Sequence, residues 1–409
     1  MKNAINKIMF TDDFTGERFQ INLDGKNLII TGDNGSGKTK FLERINSVLN
    51  NSLDSPNTQL LEIDLQHSKT MLSRYNPDSA EYNNINSQII ELEKKIISLK
   101  PLEVEVVNLG LFKDEVKSKV YFINFFNAHR QANISIDGRI TSRESLLAEY
   151  KNSLNSYAAF EPGVFFERYI ITIWNYSLLK KASGDMDDYE RVFEIIENIE
   201  KDLRELFEDE TLKLDFNLEE LKIYIRQKDK NPFCLNQLSS GFSSVLAIYT
   251  HLIMKCEFDK LSKDSIKGIA IIDEIDAHLH VTLQKRVFSF FSNSFPSIQF
   301  IISTHSPFVI QSVDNSIIYN LSSHEQMEDL SLYSYTSIIK GLLGETSESD
   351  ALKGKIKTLE SLYNNETIDI VALQRVVNGL EPFLEKMDAA SKIKVALAQN
   401  KIIELLEGE

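Results

Sequence analysis

Apolar positions along the chain change period several times, and each change marks a different kind of element. Near the N-terminus, Ile8-Met9-Phe10 and the alternating Phe19-x-Ile21-x-Leu23 read as half-buried strands. Leu28, Ile29 and Ile30 form a short unbroken apolar run, the pattern of a buried strand. Phe41, Leu42, Ile45, Val48 and Leu49 then recur at helical spacing. Over residues 59–100 the period becomes that of a heptad seam. Leu61, Leu65, Ser68, Leu72 and Tyr75 step by 4, 3, 4 and 3, and Tyr82, Ile85, Ile89, Leu92, Ile96 and Leu99 by 3, 4, 3, 4 and 3. Between the seams, Asn76-Pro77-Asp78-Ser79 reads as a helix stop followed by an N-cap. The pair predicts an antiparallel helical hairpin ~25–30 Å long. Two amphipathic helices packed on the body give the same pattern, and either way the segment is an insertion into a larger core.

Strand character returns with Val104-x-Val106-Val107 and residues 120–126, a run that ends in Asn127-Ala128-His129-Arg130-Gln131. Residues 142–210 read as mostly helical, with Ser142 or Ser145 as a cap and the only tryptophan, Trp174, in a dense apolar stretch at 164–179. Leu212-x-Leu214-x-Phe216 and Leu221-x-Ile223-x-Ile225 alternate as strands. A strong helix follows at 242–255, then buried strands ending at Asp273 and at Ser303. Residues 326–409 look helical, with apolar residues at helix spacing over 371–384 and 393–406.

At 409 residues the chain is long enough for two or three domains or one large core with insertions. Its net charge of −15 argues against a broad non-specific nucleic-acid surface, though a local basic groove and DNA binding stay open. Cys234 and Cys256 have no metal-ligand spacing and form no disulfide framework, so a reducing cytoplasm is expected. The first residues lack the apolar core of a signal peptide, and no run reaches the ~20 apolar residues of a membrane span. The expectation is a soluble cytoplasmic protein with no membrane partner.

The chemistry concentrates in four places. Gly32-Asp33-Asn34-Gly35-Ser36-Gly37-Lys38-Thr39 fits the G-x-x-x-x-G-K-[ST] phosphate loop at every position, with a strand before it and a helix after it. Glycines let backbone N–H groups curl around a phosphate at the helix N-terminus. Lys38 is expected on the β/γ-phosphates and Thr39 on Mg²⁺. The apolar strand Gly268-Ile269-Ala270-Ile271-Ile272 finishes in Asp273-Glu274, the Walker B pattern. Asp273 is expected to hold Mg²⁺ through water, and Glu274 to polarise the attacking water. Leu238-Ser239-Ser240-Gly241 fronts the helix at 242–255, a second helix N-terminus able to meet a phosphate. The strand at 298–302 ends in Ser303-Thr304-His305-Ser306-Pro307, which places His305 to touch a γ-phosphate.

Weaker signals take plainer readings. Gln131 or Arg130, at a strand end, can face the γ-phosphate or its water, or simply mark the strand exit. His278 and His280 share no helix face, so a zinc reading lacks ligands, and Asp276 is preferred as an inter-subunit contact. The acids Asp185, Asp187 and Asp188 suit a helix N-terminus better than a metal.

Taken in order, GDNGSGKT, LSSGFSS, IAIIDEID and IISTHSP resemble the motif series of ABC-type ATPases, in particular the SMC/RecF/OLD-like group. The run Glu274-Ile275-Asp276-Ala277-His278-Leu279-His280, followed by Leu283-Gln284, is similar to the E-x-x-x-H-L-H-x-x-L-Q of small OLD-like ATPases, many encoded in prokaryotic defence loci. The resemblance covers residues 1–58, 101–135 and 226–325. It implies an α/β fold: an ABC-ATPase head (P-loop NTPase, mixed β-sheet core) with an inserted short coiled-coil hairpin, a helical subdomain and a helical C-terminal region. The implied layout is core at 1–58, hairpin at 59–100, core at 101–140, helical subdomain with strands at 141–225, core at 226–325 and helices at 326–409.

The family further implies ATP and Mg²⁺ sandwiched between two subunits of a homo-oligomer, at least a dimer. One side supplies Lys38, Thr39, Asp273, Glu274 and His305, with Asn34, Gly35, Ser36 and Gly37 of the loop. The other supplies Ser239 and Gly241. The signature departs from L-S-G-G-Q, with Ser240 for its first glycine and Phe242 for its glutamine, and the glutamine loop has no crisp counterpart beyond Gln131. OLD nucleases continue into a Toprim domain on a glutamate and a D-x-D. No such pair follows His305, and ~85 residues is short for one. The expected function is therefore a defence ATPase acting as sensor and scaffold for a separately encoded effector, such as a nuclease. The alternative is a DNA-repair or chromosome-maintenance clamp; a transporter subunit fits least.

Overall fold

The computed structural model describes residues 5–12, 15–54, 58–75, 79–99, 102–134, 140–153, 161–217, 219–328, 330, 333–341, 349–365, 368–387 and 389–407. Contacts divide the chain into two compact units, Met1–Tyr335 and Thr336–Glu409.

In the first unit, β1 (Ile5–Thr11) and β2 (Arg18–Asn22) lead to β3 (Asn27–Thr31), and α1 (Lys38–Asp54) follows the glycine loop. The helices α2 (Thr58–Leu72) and α3 (Ala80–Leu99) come next, then β4 (Leu102–Val106), α4 (Leu109–Lys117) and β5 (Tyr121–Phe126). A helical stretch holds α5 (Arg143–Ser153), α6 (Phe166–Ala182) and α7 (Met186–Phe207), and three short strands, β6 (Lys213–Asn217), β7 (Lys222–Arg226) and β8 (Phe233–Cys234), lead to α8 (Ser240–Asp259). Then come β9 (Lys267–Ile272), α9 (Val281–Gln284), α10 (Val287–Ser294), β10 (Ile298–Ser303), α11 (Pro307–Gln311), β11 (Ser316–Asn320) and β12 (Glu325–Glu328).

The central sheet has the order β12-β11-β3-β10-β9-β5, parallel throughout except for β12. β3, β10 and β11 are buried at every position, as is β9 after its first residue. That is why they read as continuous apolar runs: a parallel sheet is covered on both faces. Neighbouring parallel strands end on one edge, so the residues after β3, β10, β9 and β5 meet there. A second, antiparallel sheet, β2-β1-β4, packs into the same core through Ile5, Ile8 and Ile21. Gln299, buried in β10, joins the two sheets: its Oε1 accepts from Ile5 N at 2.9 Å, and its Nε2 donates to Lys26 O at 2.8 Å.

α2 and α3 pack on one another. Leu61 and Ile89 are buried, and Leu65, Ser68, Leu72, Tyr82, Ile85 and Leu92 are half-buried. Lys69 of α2 pairs with Glu93 of α3 at 2.6 Å. Ser79 caps α3 by accepting from Tyr82 N at 3.1 Å, while Asn76, Pro77 and Asp78, and the side chains of Ile96 and Leu99, lie outside the described residues. Tyr75 falls past the end of α2 and is exposed.

Three expectations need correction. The 104–126 stretch is not all strand, because α4 intervenes, its N-cap Asn108 accepting from Leu111 N at 3.1 Å. The sheet runs past residue 325, since β12 pairs with β11, and the first unit ends at Tyr335. Leu221 lies outside the second strand of its pair, at φ 51°. Ser142 rather than Ser145 supplies the α5 cap, accepting from Ser145 N at 3.1 Å. Asp185 caps α7 and shares Lys180 with Asp188, as acids at a helix start should.

The second unit contains α13 (Asp350–Tyr363), α14 (Ile370–Leu380) and α15 (Ala389–Glu407), reached through α12 (Tyr335–Gly341). Leu359, Leu373, Val377 and Val395 build its own small core. No helix among the described residues is long and apolar enough to cross a membrane.

Candidate nucleotide site

The glycine loop closes over the N-terminus of α1. Gly35 and Gly37 take φ of 84° and 86°, left-handed values that side chains resist. At Gly32 the constraint is space, because a Cβ there would meet the hydroxyls of Ser36 at 2.9 Å and Ser322 at 3.0 Å. Ser322 holds the loop from the far side of β3, accepting from Asp33 N at 2.8 Å. Lys38 is buried, and its Nζ donates to Gly32 O at 3.1 Å and Asp33 O at 3.0 Å. Burial pulls the Lys38 pKa down, opposed by the charges of Glu274, Asp273, Asp33 and Asp276.

Across the strand ends, Thr39 donates its hydroxyl to Asp273 Oδ2 at 2.8 Å. Asp273 is buried, and its Oδ1 accepts from Ser303 at 2.5 Å. Ser303 in turn accepts from Glu274 N at 2.7 Å. Glu274 is exposed and sits at φ 43°, in the left-handed region. Thr304 donates to Asp276 Oδ1, so this carboxylate has a partner within its own chain. His305 is half-buried at the same edge. Gln284 explains the Leu-Gln that closes the histidine run: it donates to Leu279 O and accepts from Ser306, both at 2.8 Å, and so ties the run to the His305 loop. His278 and His280 are exposed, and no group of three metal-ligating side chains occurs among the described residues.

On the β5 side, the side chain that reaches the strand ends is Arg130. Its Nη1 donates to Asp273 O at 2.7 Å and Asn127 O at 2.9 Å, and its Nη2 to Glu274 O at 3.2 Å and Ile275 O at 3.4 Å. Burial lowers its pKa to about 10. Gln131, next to it, is exposed and lines a cavity of about 260 Å³ with His129, Asn133 and His251. Both residues stand at the strand end where a γ-phosphate contact is expected, with Gln131 the glutamine-loop counterpart. Nothing in the local sequence marks Arg130 as a ligand of backbone carbonyls.

The signature opens α8. Ser239 is the N-cap, yet its exposed hydroxyl makes no capping bond. Gly241 is buried against the histidine run, and a Cβ there would stand 2.5 Å from His278 O. Phe242, in the place of the usual glutamine, stacks on Phe207 at 4.5 Å between ring centroids.

The residues present fit a magnesium nucleotide. A buried lysine, a hydroxyl and a buried carboxylate converge at the loop, and the buried Ser36 Oγ has no hydrogen-bond partner among the described residues. The family described as "AAA domain, putative AbiEii toxin, Type IV TA system" matches residues 28–311. The chain belongs to this family. It is also similar to the Septu protein PtuA of Bacillus mycoides (strain KBAB4), 24% identical over 346 residues, which are 78% of this chain and 45% of that protein. To the Retron Vc95 probable ATPase of Vibrio cholerae serotype O1 biovar El Tor it is 51% identical over 94 residues, 22% of this chain and 18% of that protein. The chain thus spans less than half the length of these curated relatives. Among solved structures, an Smc head bound to the C-winged helix domain of ScpA aligns at TM-score 0.38 and 17% identity, covering 80% of this chain and 98% of that one.

Proposed function

We propose that two copies of this chain close on ATP and Mg²⁺, hydrolyse the ATP, and in doing so act as sensor and scaffold for a separately encoded effector in prokaryotic anti-phage defence. The observation that carries the ATPase reading is the Thr39–Asp273 hydrogen bond, which joins the phosphate-loop helix to the Walker B strand end. ATP supplies the γ-phosphate and Mg²⁺ the charge that offsets it in the transition state. Lys38 binds and orients the β/γ-phosphates, with the loop N–H groups around it. Thr39 and Asp273 would hold the metal. Glu274 orients the attacking water and takes its proton, and His305 contacts the γ-phosphate. From the second copy, Ser239 offers a hydroxyl free of any capping bond at a helix N-terminus, the position suited to a phosphate held in trans. Gly241 lets that terminus pack close, and Asp276 lies at the same border.

The defence role draws on the E-x-x-x-H-L-H-x-x-L-Q run and on the Septu and retron relatives. The experiment mixes two inactive variants, Ser239→Arg and Lys38→Ala, and measures ATP hydrolysis. Shared sites predict partial recovery in the mixture; none would count against the trans assignment. Mass photometry and ATPase rate with and without duplex DNA then decide the role. A DNA-indifferent assembly larger than a dimer supports the scaffold, and a DNA-stimulated dimer replaces it with a DNA clamp.

A further inference from the structure

Glu274 is the proposed base, and its backbone is in a conformation that non-glycine residues rarely hold unaided. Two contacts hold it. Its N–H is taken by Ser303 Oγ at 2.7 Å, and its carbonyl by Arg130 Nη2 at 3.2 Å. The same guanidinium also bonds the carbonyls before and after, Asp273 O at 2.7 Å and Ile275 O at 3.4 Å. With Asn127 O at 2.9 Å, four carbonyls converge on one side chain, which the five fixed donors of a guanidinium can satisfy at once and the three of a lysine cannot. Both terminal nitrogens are spent on main-chain oxygens. Arg130 is therefore placed to shape the turn and not to touch a phosphate.

We propose that Arg130 is the positioning residue of this ATPase: it clamps the 273–275 turn so that the Glu274 carboxylate faces the attacking water. The clamp is anchored two residues on, where Ala132 N donates to Ser243 Oγ at 3.0 Å. Ser243 lies in the first turn of α8, the signature helix. A displacement of the signature helix on dimer closure is thereby passed through residues 130–132 to Glu274 of the same chain. The proposal rests on Glu274 being the base, and the test separates the two.

Single-turnover hydrolysis and ATP titration are compared for Arg130→Ala, Arg130→Lys, Glu274→Gln and the Arg130→Ala/Glu274→Gln double variant. Arg130→Ala should lower the hydrolysis rate about 10- to 100-fold, the cost of a misplaced catalytic group, with ATP affinity held within about twofold. Lysine should restore little, and millimolar methylguanidinium should revive Arg130→Ala but not Glu274→Gln. The double variant should be no slower than Glu274→Gln alone. A full rate in Arg130→Ala, a loss carried in ATP affinity, or additive losses would overturn the proposal. If Glu274→Gln keeps its rate, the base assignment falls by itself. The clamp is then judged by hydrogen exchange at the amides of Glu274 and Ile275, which Arg130→Ala must accelerate and whose unchanged protection would refute it.

Discussion

Ser303 donates its hydroxyl to Asp273 Oδ1 at 2.5 Å, and that Ser303 Oγ itself accepts the N–H of Glu274 at 2.7 Å. One small side chain, 30 residues away in sequence, thus sets both acids of the Walker B pair. It can do so because β10 lies beside β9 in parallel register, Ile302 opposite Ile272.

Ser303→Ala should leave a buried carboxylate oxygen without its donor, at a cost of about 1–3 kcal/mol in stability. The Mg²⁺ concentration for half-maximal ATPase should rise several-fold, because Asp273 loses one of its two fixed contacts. A Mg²⁺ titration alongside thermal unfolding checks both parts. An unchanged Mg²⁺ dependence would leave Ser303 a packing residue.

Gly241→Ala places a Cβ where His278 O now stands at 2.5 Å. That atom is backbone and cannot swing aside, so the start of α8 must lift from the histidine run. A loss of about 1–3 kcal/mol in unfolding free energy is expected, with a parallel fall in ATPase rate. Denaturant unfolding measures the first. Wild-type stability would show that the helix start is free to shift.

Acid should weaken the fold through His251. Burial against the Phe126 ring, with Lys255 nearby, lowers its pKa from 6.5 to about 3. Between those values the unfolded chain binds the proton and the folded one does not. The stabilisation is therefore full above pH 6.5 and is lost progressively as pH falls toward 3. His251→Phe should flatten this part of a melting-temperature profile. A profile as steep as that of the wild type would assign the acid sensitivity to other groups.

Lys38→Ala should lose most nucleotide affinity while keeping the fold, since among the described residues Lys38 Nζ bonds only the loop carbonyls of Gly32 and Asp33. Titration with a fluorescent ATP analogue reads the first, and circular dichroism the second. Retained affinity would remove the lysine from the phosphate site.

By itself the sequence determined the local chemistry. A phosphate loop needs glycines at positive φ and a lysine at a helix start, all within eight residues, so GDNGSGKT is legible as written. The buried parallel strands are legible too, because burial on both faces leaves an unbroken apolar run with its acids or hydroxyls at the end. The hairpin seam follows from a repeat of 3 and 4, with Ser79 as its cap. α4 was within reach, since Asn108 precedes Leu109, Phe112 and Val116 at helical spacing, but the flanking strands masked it.

What only the tertiary structure decided are pairings between distant segments. The order β3-β10-β9-β5 brings Thr39 to Asp273, 234 residues apart, and Arg130 to the carbonyls of 273–275. Main-chain carbonyls carry no sequence signal, so an arginine that serves them looks like any surface arginine until the chain folds. Gly241 was read for its place in a signature, and its contact with His278 O supplies a steric reason that no motif spacing contains. Short-range geometry is written in residue types, whereas long-range contact depends on which strands lie side by side.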